Sequence, residues 1–279
     1  MGRASTATEG IVRGIRIAAA LAAVLATALP AGAQQAADRS EELAQTAANP
    51  IADLISLPLQ FNDDMGLGPY DRSFPVLNVQ PVVPLAGGRI VTRTVVPFVW
   101  IPDVSQESGR LSSGLSDIVF TAFYVPGGGS FMWGVGPVLE FPTGGSERGA
   151  EKWSAGLSGV ALAQPGNWTL GVLANNVWSY AGDSDREDVS KGLLQYFIVY
   201  QLGNGWYVNS APILTVDWKA DEGQKWKVPF GAGVGKLTFL GKLPLNVQVG
   251  AYGYAVKPDV GPDWQLRLQA QFLFPTPGG

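Results

Sequence analysis

The stretch Trp264–Phe274, which reads WQLRLQAQFLF, decides the fold class of this chain. Every second side chain of the stretch is apolar, and Gln265, Arg267, Gln269 and Gln271 stand between the apolar residues. Alternation with period two is typical of a β-strand that has one apolar face and one polar face. A strand of this length, tilted by about 40°, is long enough to cross a bilayer. The stretch therefore predicts one strand of a transmembrane β-barrel, with its polar face toward the lumen.

Segments with the same alternation run through the rest of the chain, separated by Gly, Pro and Asp. The sequence predicts twelve such strands, each longer than an ordinary soluble strand. The predicted fold class is therefore all-β, a transmembrane antiparallel up-and-down β-barrel of about twelve strands. The predicted spans are 54–62, 74–83, 90–101, 115–125, 131–141, 153–162, 168–180, 190–202, 206–218, 226–239, 245–256 and 264–274.

The connections between these strands alternate between long and short. Residues 63–73 and 102–114 form long connections, for example, whereas residues 84–89 and 203–205 form short ones. Bacterial outer-membrane barrels have an even number of strands, long loops at the outer end and short turns at the periplasmic end. The alternation therefore predicts that the N- and C-termini both lie in the periplasm.

The composition excludes several classes of function. The 279 residues include no His and no Cys, and only 15% are charged whereas 46% are hydrophobic. Without these two residue types there is no His-assisted nucleophile, no thiolate or imidazole metal site and no disulfide. The sparse charge suits a wall that faces lipid on one side, and the net charge of −4 does not favour nucleic acid as a partner. The sequence predicts neither a metal nor another cofactor.

The N-terminus has the pattern of a secretory signal peptide over residues 1–33. Three arginines accompany the apolar stretch Ile17–Leu29, and Ala31-Gly32-Ala33 forms a small-residue cleavage site. The alternative, an N-terminal membrane helix, is disfavoured because Pro30 ends a short apolar run. A cleaved signal peptide followed by a barrel predicts the outer membrane of a Gram-negative bacterium.

The mature chain divides into two predicted parts. Residues 34–50 form a periplasmic lead-in, either a short helix or a flexible segment, because Asp38 and Glu41 have the spacing of a capping box. Residues 51–279 form the barrel. Prolines inside its predicted strands remove ladder donors, so we expect bulges or broken pairing in the wall. These prolines are Pro58, Pro81, Pro97, Pro137, Pro212 and Pro229.

Aromatic side chains fall near the predicted strand ends, on the apolar face. Trp206 and Trp218 share one strand and lie far enough apart to mark both sides of an apolar band. Membrane barrels carry such aromatic girdles at both interfaces, whereas packing in a core is the alternative for any single residue. The candidate girdle residues are Trp133, Trp168, Trp178, Trp206, Trp218, Trp264 and Phe274.

Polar side chains on the opposite face are candidates for lining the lumen. Charges within a membrane-spanning segment are costly unless they face water or one another, so they mark functional positions by default. Two interpretations remain open: these residues line the path of a solute, or they form a salt-bridged filling that keeps a narrow barrel rigid. About eight strands close on their own side chains and roughly 16 leave a wide channel, so twelve predict a narrow passage. The candidates are Arg93, Asp117, Glu140, Asp217, Lys227, Arg267 and Gln269.

Several blocks of sequence, taken in order, resemble a bacterial family of exported barrels. The family is usually labelled as transporters, or misleadingly as neuromedin U, and is similar to the outer-membrane channels of the meta-pathway of phenol degradation. The resemblance covers about residues 49–275 and implies an outer-membrane location and a transport role, without established binding or catalytic residues to carry over. The blocks are Asn49–Pro58, Leu77–Pro81, Arg93–Pro97, Gly114–Ile118, Trp133–Pro137, Ala174–Ser179, Trp226–Pro229 and Leu273–Pro275.

The preferred interpretation is an outer-membrane channel or transporter that passes small solutes, aromatic or hydrophobic ones included, by diffusion through a narrow lumen. Its expected partners are outer-membrane lipid, lipopolysaccharide, a small-molecule solute and the barrel-assembly machinery, which reads an aromatic residue near the C-terminus such as Phe274. A structural barrel that displays its loops is the alternative. An outer-membrane enzyme fits less well, because such enzymes rely on His and only a carboxylate site at Asp117, Glu140 or Asp217 would remain.

Overall fold

The computed structural model describes residues 33–127, 129 and 131–274. The predicted signal peptide, apart from Ala33, and the tail 275–279 therefore lie outside the described residues. Within the described part of the chain, no helix is long and apolar enough to cross a membrane.

The described chain is one short helix followed by strands that run up and down. Helix α1 spans Ala33–Ala47, a 3-10 turn spans Gly68–Tyr70 and helix α2 spans Gly145–Arg148. The strands are β1 Ile55–Leu67, β2 Arg72–Val79, β3 Val82–Leu85, β4 Ile90–Pro102, β5 Arg110–Leu115, β6 Ile118–Tyr124, β7 Phe131–Phe141, β8 Lys152–Ala163, β9 Trp168–Gly182, β10 Ser190–Gly203, β11 Trp206–Ser210, β12 Ile213–Asp217, β13 Trp226–Leu240, β14 Leu243–Val256 and β15 Trp264–Phe274.

The strands form one closed wall. Neighbouring strands pair antiparallel, and the sheet closes because β1 pairs with β15 from Ile55 opposite Phe274 to Met65 opposite Trp264. Three crossings of the wall are made by two short strands in succession, β2 with β3, β5 with β6, and β11 with β12. We call each crossing a stave, so the fifteen strands make twelve staves. The predicted all-β, antiparallel, up-and-down barrel of twelve strands is therefore confirmed.

The connections sort by length between the two ends of the barrel. Residues 86–89 and 204–205 are tight connections at the end where β1 begins and β15 finishes, which we call the short-turn end. Residues 142–151 and 183–189 are longer connections at the opposite, long-loop end. The predicted long loop 63–73 is wrong, because β1 continues to Leu67 while pairing with both β15 and β2.

The strand prolines coincide with interruptions of the hydrogen-bond ladder. Pro81 occupies the gap between β2 and β3, and Pro212 occupies the gap between β11 and β12. A proline has no N–H to offer a neighbouring strand, so the pairing lapses where it stands. The other four lie beside further gaps or register shifts: Pro58, Pro97, Pro137 and Pro229. The expectation of locally broken pairing is therefore confirmed.

The wall has an apolar outer face and a mixed inner face. In β15 the side chains of Gln265, Arg267 and Gln271 are buried inside the barrel, whereas Phe274 is exposed on the outside. The inner face is filled near the short-turn end by apolar side chains such as Phe123. This alternation positions the candidate site, because each stave aims one row of side chains into the lumen.

Candidate functional site

The chain ahead of β1 fills the short-turn end of the lumen. We call residues 40–54, which comprise the end of α1 and the turn after it, the plug segment. Ala44 is 1% exposed and packs with Leu237 and Leu273 of the wall. Further along, Ile51 packs in a second cluster that includes Phe123. The segment therefore lies inside the barrel, buried against inward-facing side chains at both of its ends.

A few amide hydrogen bonds fasten the plug segment to the wall. Gln45 Nε2 donates to the Gly166 carbonyl (3.0 Å), and Gln164 Nε2 donates to the Gln45 carbonyl (2.9 Å). Asn49 Nδ2 lies 3.4 Å from Met132 Sδ. Apolar packing supplies the remaining contact: Ala44, Ala52 and Leu54 pack in one cluster and Ile51 in the other. The segment is thus held by side-chain packing and amide hydrogen bonds, and within the described residues it shares no strand pairing with the wall.

A cavity of about 160 Å³ lies in the lumen beside the plug segment. Among the described residues, its lining includes two guanidinium groups, from Arg93 and Arg267, and no carboxylate. Leu173, Phe197 and Val199 supply apolar wall on β9 and β10. The amide lining includes Gln60, Gln80, Gln195, Asn246, Gln248 and Gln269. The cavity is therefore positively charged and partly apolar.

Arg267 extends into the lumen from β15 and is 3% exposed. Its Nε donates to Asn62 Oδ1 (3.0 Å), its Nη2 to Gln265 Oε1 (3.0 Å) and its Nη1 to the Ala211 carbonyl (2.7 Å). Ala211 lies in the gap between β11 and β12, where the ladder is interrupted. Each guanidinium nitrogen of Arg267 thus has a protein acceptor, and the side chain ties β15 to the β11–β12 stave, three staves away along the wall.

Arg93 on β4 has a simpler environment. Its Nη2 donates to Gln80 Oε1, which is the one hydrogen-bond partner that the described residues give it. Within the described ranges no ion pair joins Arg93 to a carboxylate. Because a guanidinium carries five N–H donors, Arg93 keeps donors for a ligand or water in the cavity that it lines.

Two of the predicted acidic candidates have structural partners. Glu140 Oε1 accepts from Lys191 Nζ at 2.5 Å, which closes an ion pair across the inside of the barrel. Asp117 lies between β5 and β6 and accepts backbone N–H groups from Gly144 (2.9 Å) and Ala150 (2.7 Å). Asp117 therefore anchors the loop that contains α2, and neither carboxylate lines the cavity.

The remaining three candidates lie in different parts of the barrel. Gln269 lines the cavity. Asp217 is exposed and accepts a hydrogen bond from the backbone N–H of Lys219 (3.0 Å). Lys227 on β13 is also exposed, and it pairs with Thr215 of β12. The structure thus gathers Arg93, Arg267 and Gln269 around one cavity and places Asp117, Glu140, Asp217 and Lys227 outside its lining.

The candidate girdle aromatics lie on the outer face in two groups. Trp178, for example, is 51% exposed although its side chain is large and mostly apolar. Rings also contact each other along the outer face, as between Trp168 and Tyr200, whose centroids are 4.6 Å apart, and between Trp218 and Trp226, at 5.6 Å. Trp133, Trp168, Trp206 and Phe274 lie toward the short-turn end, and Trp178, Trp218 and Trp264 toward the long-loop end.

Two carboxylates in the long loops are held in their ionised form. Hydrogen bonds from the hydroxyl and backbone N–H of Ser105 keep the pKa of Asp103 below its ordinary value. The ammonium group of Lys152, 3.4 Å from Asp188 Oδ1, has the same effect on the pKa of Asp188. Within the described residues, no group of three or more His, Cys, Asp or Glu side chains is placed to hold a metal ion.

Sequence reasoning missed two parts of the lumen. The period-two pattern stops before Ile55, so it gave no signal that residues 40–54 fold back inside the barrel. Lys191, the partner of Glu140, stands at the start of β10 beside a polar loop. Its parity with the inward Phe197 was the available signal, but parity alone does not show which staves face each other across the lumen.

The fold and the lumen together define a closed, twelve-stave antiparallel β-barrel with its short-turn end filled by its own N-terminal segment. No protein-family profile matches the chain, and no curated protein matches it in sequence. Among solved structures it is similar to the COG4313 outer membrane channel from Pseudomonas putida F1, with a TM-score of 0.56 and 17% identity, over 80% of this chain and 96% of that one. This likeness shows the fold.

Two further solved barrels are more distant. The KdgM porin in complex with disordered oligogalacturonate has a TM-score of 0.46 and 10% identity, over 80% of this chain and 99% of that one. Outer membrane phospholipase A from Escherichia coli has a TM-score of 0.37 and 14% identity, over 80% of this chain and 97% of that one. Because one fold can host unrelated functions, the function of this chain has to be argued from its site.

Proposed function

We propose that this protein is a channel of the bacterial outer membrane that passes small solutes by diffusion, and that the plug segment closes it in the conformation described here. The observation that carries the proposal is the cavity with polar and charged lining inside a closed wall whose outer face is apolar. A wall of this kind is stable in lipid because all strand edges are paired and the polar side chains face inward.

The outer face supports a membrane location. Large apolar side chains such as Leu157 and Phe230 are exposed there, at 72% and 59%. An apolar surface of this extent is unfavourable in contact with water and favourable in contact with lipid. Near the short-turn end, Lys236 Nζ lies 4.7 Å above the centre of the Trp206 ring. A long cation beside an aromatic ring is typical of a lipid–water interface. The signal peptide, the contacts with lipopolysaccharide and assembly by the barrel-assembly machinery belong to the same proposal.

Passage requires the plug segment to move. It occupies the lumen at the short-turn end, where its alanines pack on Leu237 and Leu273. Its displacement gives up side-chain packing and a few amide hydrogen bonds, whereas the wall keeps its own ladder of backbone hydrogen bonds. The segment is therefore a displaceable part of an otherwise self-supporting barrel.

The lining also favours a class of solute. Leu173, Phe197 and Val199 offer apolar contact, and the amides and arginines opposite offer hydrogen bonds. We assign small solutes with an apolar part, aromatic ones included, to this lumen. We assign no catalysis to the inward carboxylates, because Asp117 accepts two backbone N–H groups and Glu140 is paired with Lys191.

Swelling of proteoliposomes tests this function. Liposomes containing the wild-type protein, a variant lacking residues 36–48, or the Arg110→Gln control are shifted into an isotonic solution of arabinose. Arg110 is exposed at the long-loop end, away from the plug segment. We expect slow swelling for the wild type and the control, and faster swelling for the deletion variant.

Correct assembly is checked in the same samples by the shift in gel mobility between unheated and boiled protein. If both the wild type and the deletion variant form closed barrels yet remain sealed, the channel function is wrong, and a structural barrel replaces it. If the protein does not fractionate with outer membranes, the proposed location is wrong.

A further inference from the structure

The charge of the lumen cavity is not balanced by the residues that line it. Arg93 and Arg267 contribute two positive charges, and among the described lining residues there is no Asp or Glu. A charge withdrawn from bulk water is costly unless a group of opposite charge lies nearby. A lumen built in this way attracts an anion.

The two arginines are not equivalent. Arg267 uses its nitrogens on Asn62, Gln265 and the Ala211 carbonyl, so its role is to connect parts of the wall. Arg93 makes one hydrogen bond, to Gln80, within the described part of the chain. The guanidinium with donors to spare is therefore that of Arg93.

The surface across the cavity from Arg93 includes an apolar patch. Arg93 belongs to β4, the third stave counted from β1, and Phe197 and Val199 belong to β10, the eighth of twelve. These staves lie nearly opposite each other in the wall. Leu173 on the neighbouring β9 extends the apolar surface, since it packs in one cluster with Phe197. A ligand that fits both sides has an anionic group at one end and an apolar body at the other.

We infer that the cavity is a binding site for a small organic carboxylate with an apolar body, whose carboxylate is held by Arg93. A guanidinium matches a carboxylate geometrically, since two parallel N–H groups meet two oxygens. This inference deepens the proposed channel function, and the role of the bound anion as a passing solute rests on that function. Binding itself does not require passage and is measured separately.

The test is equilibrium binding to the full-length barrel in detergent, measured by isothermal titration calorimetry. The probes are sodium benzoate and benzamide, which share a ring and differ in charge. We expect benzoate to bind at least about tenfold more tightly than benzamide, because charge-assisted hydrogen bonds are about twice as strong as neutral ones. Equal affinity for the two probes, or no binding of benzoate, would overturn the inference without use of any variant.

Variants then locate the site. Arg93→Gln is expected to weaken benzoate binding about tenfold or more and to leave benzamide binding nearly unchanged, whereas Arg93→Lys retains the charge and recovers part of the loss. Arg110→Gln removes the same side chain from an exposed position and is expected to bind benzoate as the wild type does. An unchanged affinity in Arg93→Gln, or an equal loss for both probes, contradicts the assignment to Arg93.

Failure of the proposed binding site can be distinguished from failure of the proposed channel function. A protein that binds benzoate through Arg93 but never swells liposomes overturns the channel and leaves the site. A protein that swells liposomes but binds benzoate no better than benzamide overturns the site and leaves the channel.

Discussion

At the residue scale, Arg267 supplies hydrogen bonds that the interrupted wall lacks. Pro212 has no N–H, and the gap beside it leaves the Ala211 carbonyl without a ladder partner, which Arg267 Nη1 replaces at 2.7 Å. Gln195 Nε2 also donates to this carbonyl (3.3 Å). A buried carbonyl that loses its donors is costly, so the broken stave depends on a side chain of the neighbouring β10 and on Arg267, three staves away.

Replacing Arg267 by Met tests this dependence, because Met is long and apolar but cannot donate. We expect the free energy of unfolding in lipid vesicles, measured by urea titration, to fall by about 2–4 kcal/mol, since Asn62, Gln265 and Ala211 each lose a charged donor. The control Arg110→Met changes an exposed side chain and should stay within about 0.5 kcal/mol of the wild type. Equal effects in the two variants would contradict the bridging role.

A loop carboxylate gives a prediction for pH. The pKa of Asp188 is lowered from its ordinary value of 3.8 by its hydrogen bond and charge interaction with Lys152. A carboxylate whose pKa is lowered on folding contributes to stability above its unfolded value, and the contribution is lost as the pH falls through the folded value. Asp188→Asn should therefore lower the melting temperature slightly at pH 6 and leave it unchanged at pH 2. The same difference at both pH values would show that the ionised pair is irrelevant.

Sequence parity predicts the face of a side chain but not its height or its opposite neighbour. Arg93, Arg267 and Gln269 share the inner face with Glu140, yet only the first three lie around the cavity. The distribution depends on barrel closure and on which staves face each other, and these are properties of the whole wall. Parity also does not predict where the backbone of one strand and a side chain of another come close together. Gly235 is such a position, because a Cβ there would lie 2.2 Å from Tyr207 Oη.

At the element scale, the strands follow from local pattern and the plug segment does not. The predicted span 131–141 is the observed β7, and the predicted 206–218 becomes β11 and β12 with Pro212 in the gap. Two-fold alternation and proline chemistry act locally, so the sequence predicts them well. The plug segment is polar and rich in alanine, and its position is fixed only by surfaces that exist once the barrel has closed.

A larger side chain at the contact between the plug segment and the wall should displace the segment without disrupting the strand pairing. Ala44 is 1% exposed against Leu237 and Leu273, so Ala44→Trp has no room there. In a background with Asn49→Cys as reporter, we expect maleimide to label residue 49 faster, while the heat-dependent shift in gel mobility persists. The chain has no native cysteine that would interfere.

Glu42→Trp is the matched control, because Glu42 is exposed on the same helix. It should leave the labelling rate unchanged. If Ala44→Trp also leaves the rate unchanged, the segment is not held by the contact described here.

At the scale of the whole molecule, different interactions hold the wall and the plug segment. The wall derives its stability from a ladder that closes between β1 and β15, so that each described stave has a paired neighbour on both sides. The plug segment is held by apolar side-chain contacts and a few amide hydrogen bonds and does not take part in the ladder. A barrel of this construction can change the state of its lumen without unfolding.

The most direct test of this account is single-channel conductance in planar lipid bilayers, measured on an Asn49→Cys, Met132→Cys variant before and after linkage. The side chains of Asn49 and Met132 are in contact across the boundary between plug segment and wall, at 3.4 Å. We predict that a cleavable bifunctional maleimide linking the two cysteines abolishes conducting events and that cleavage of the linker restores them. Equal conductance in the linked and unlinked states would contradict the claim that the plug segment closes the barrel.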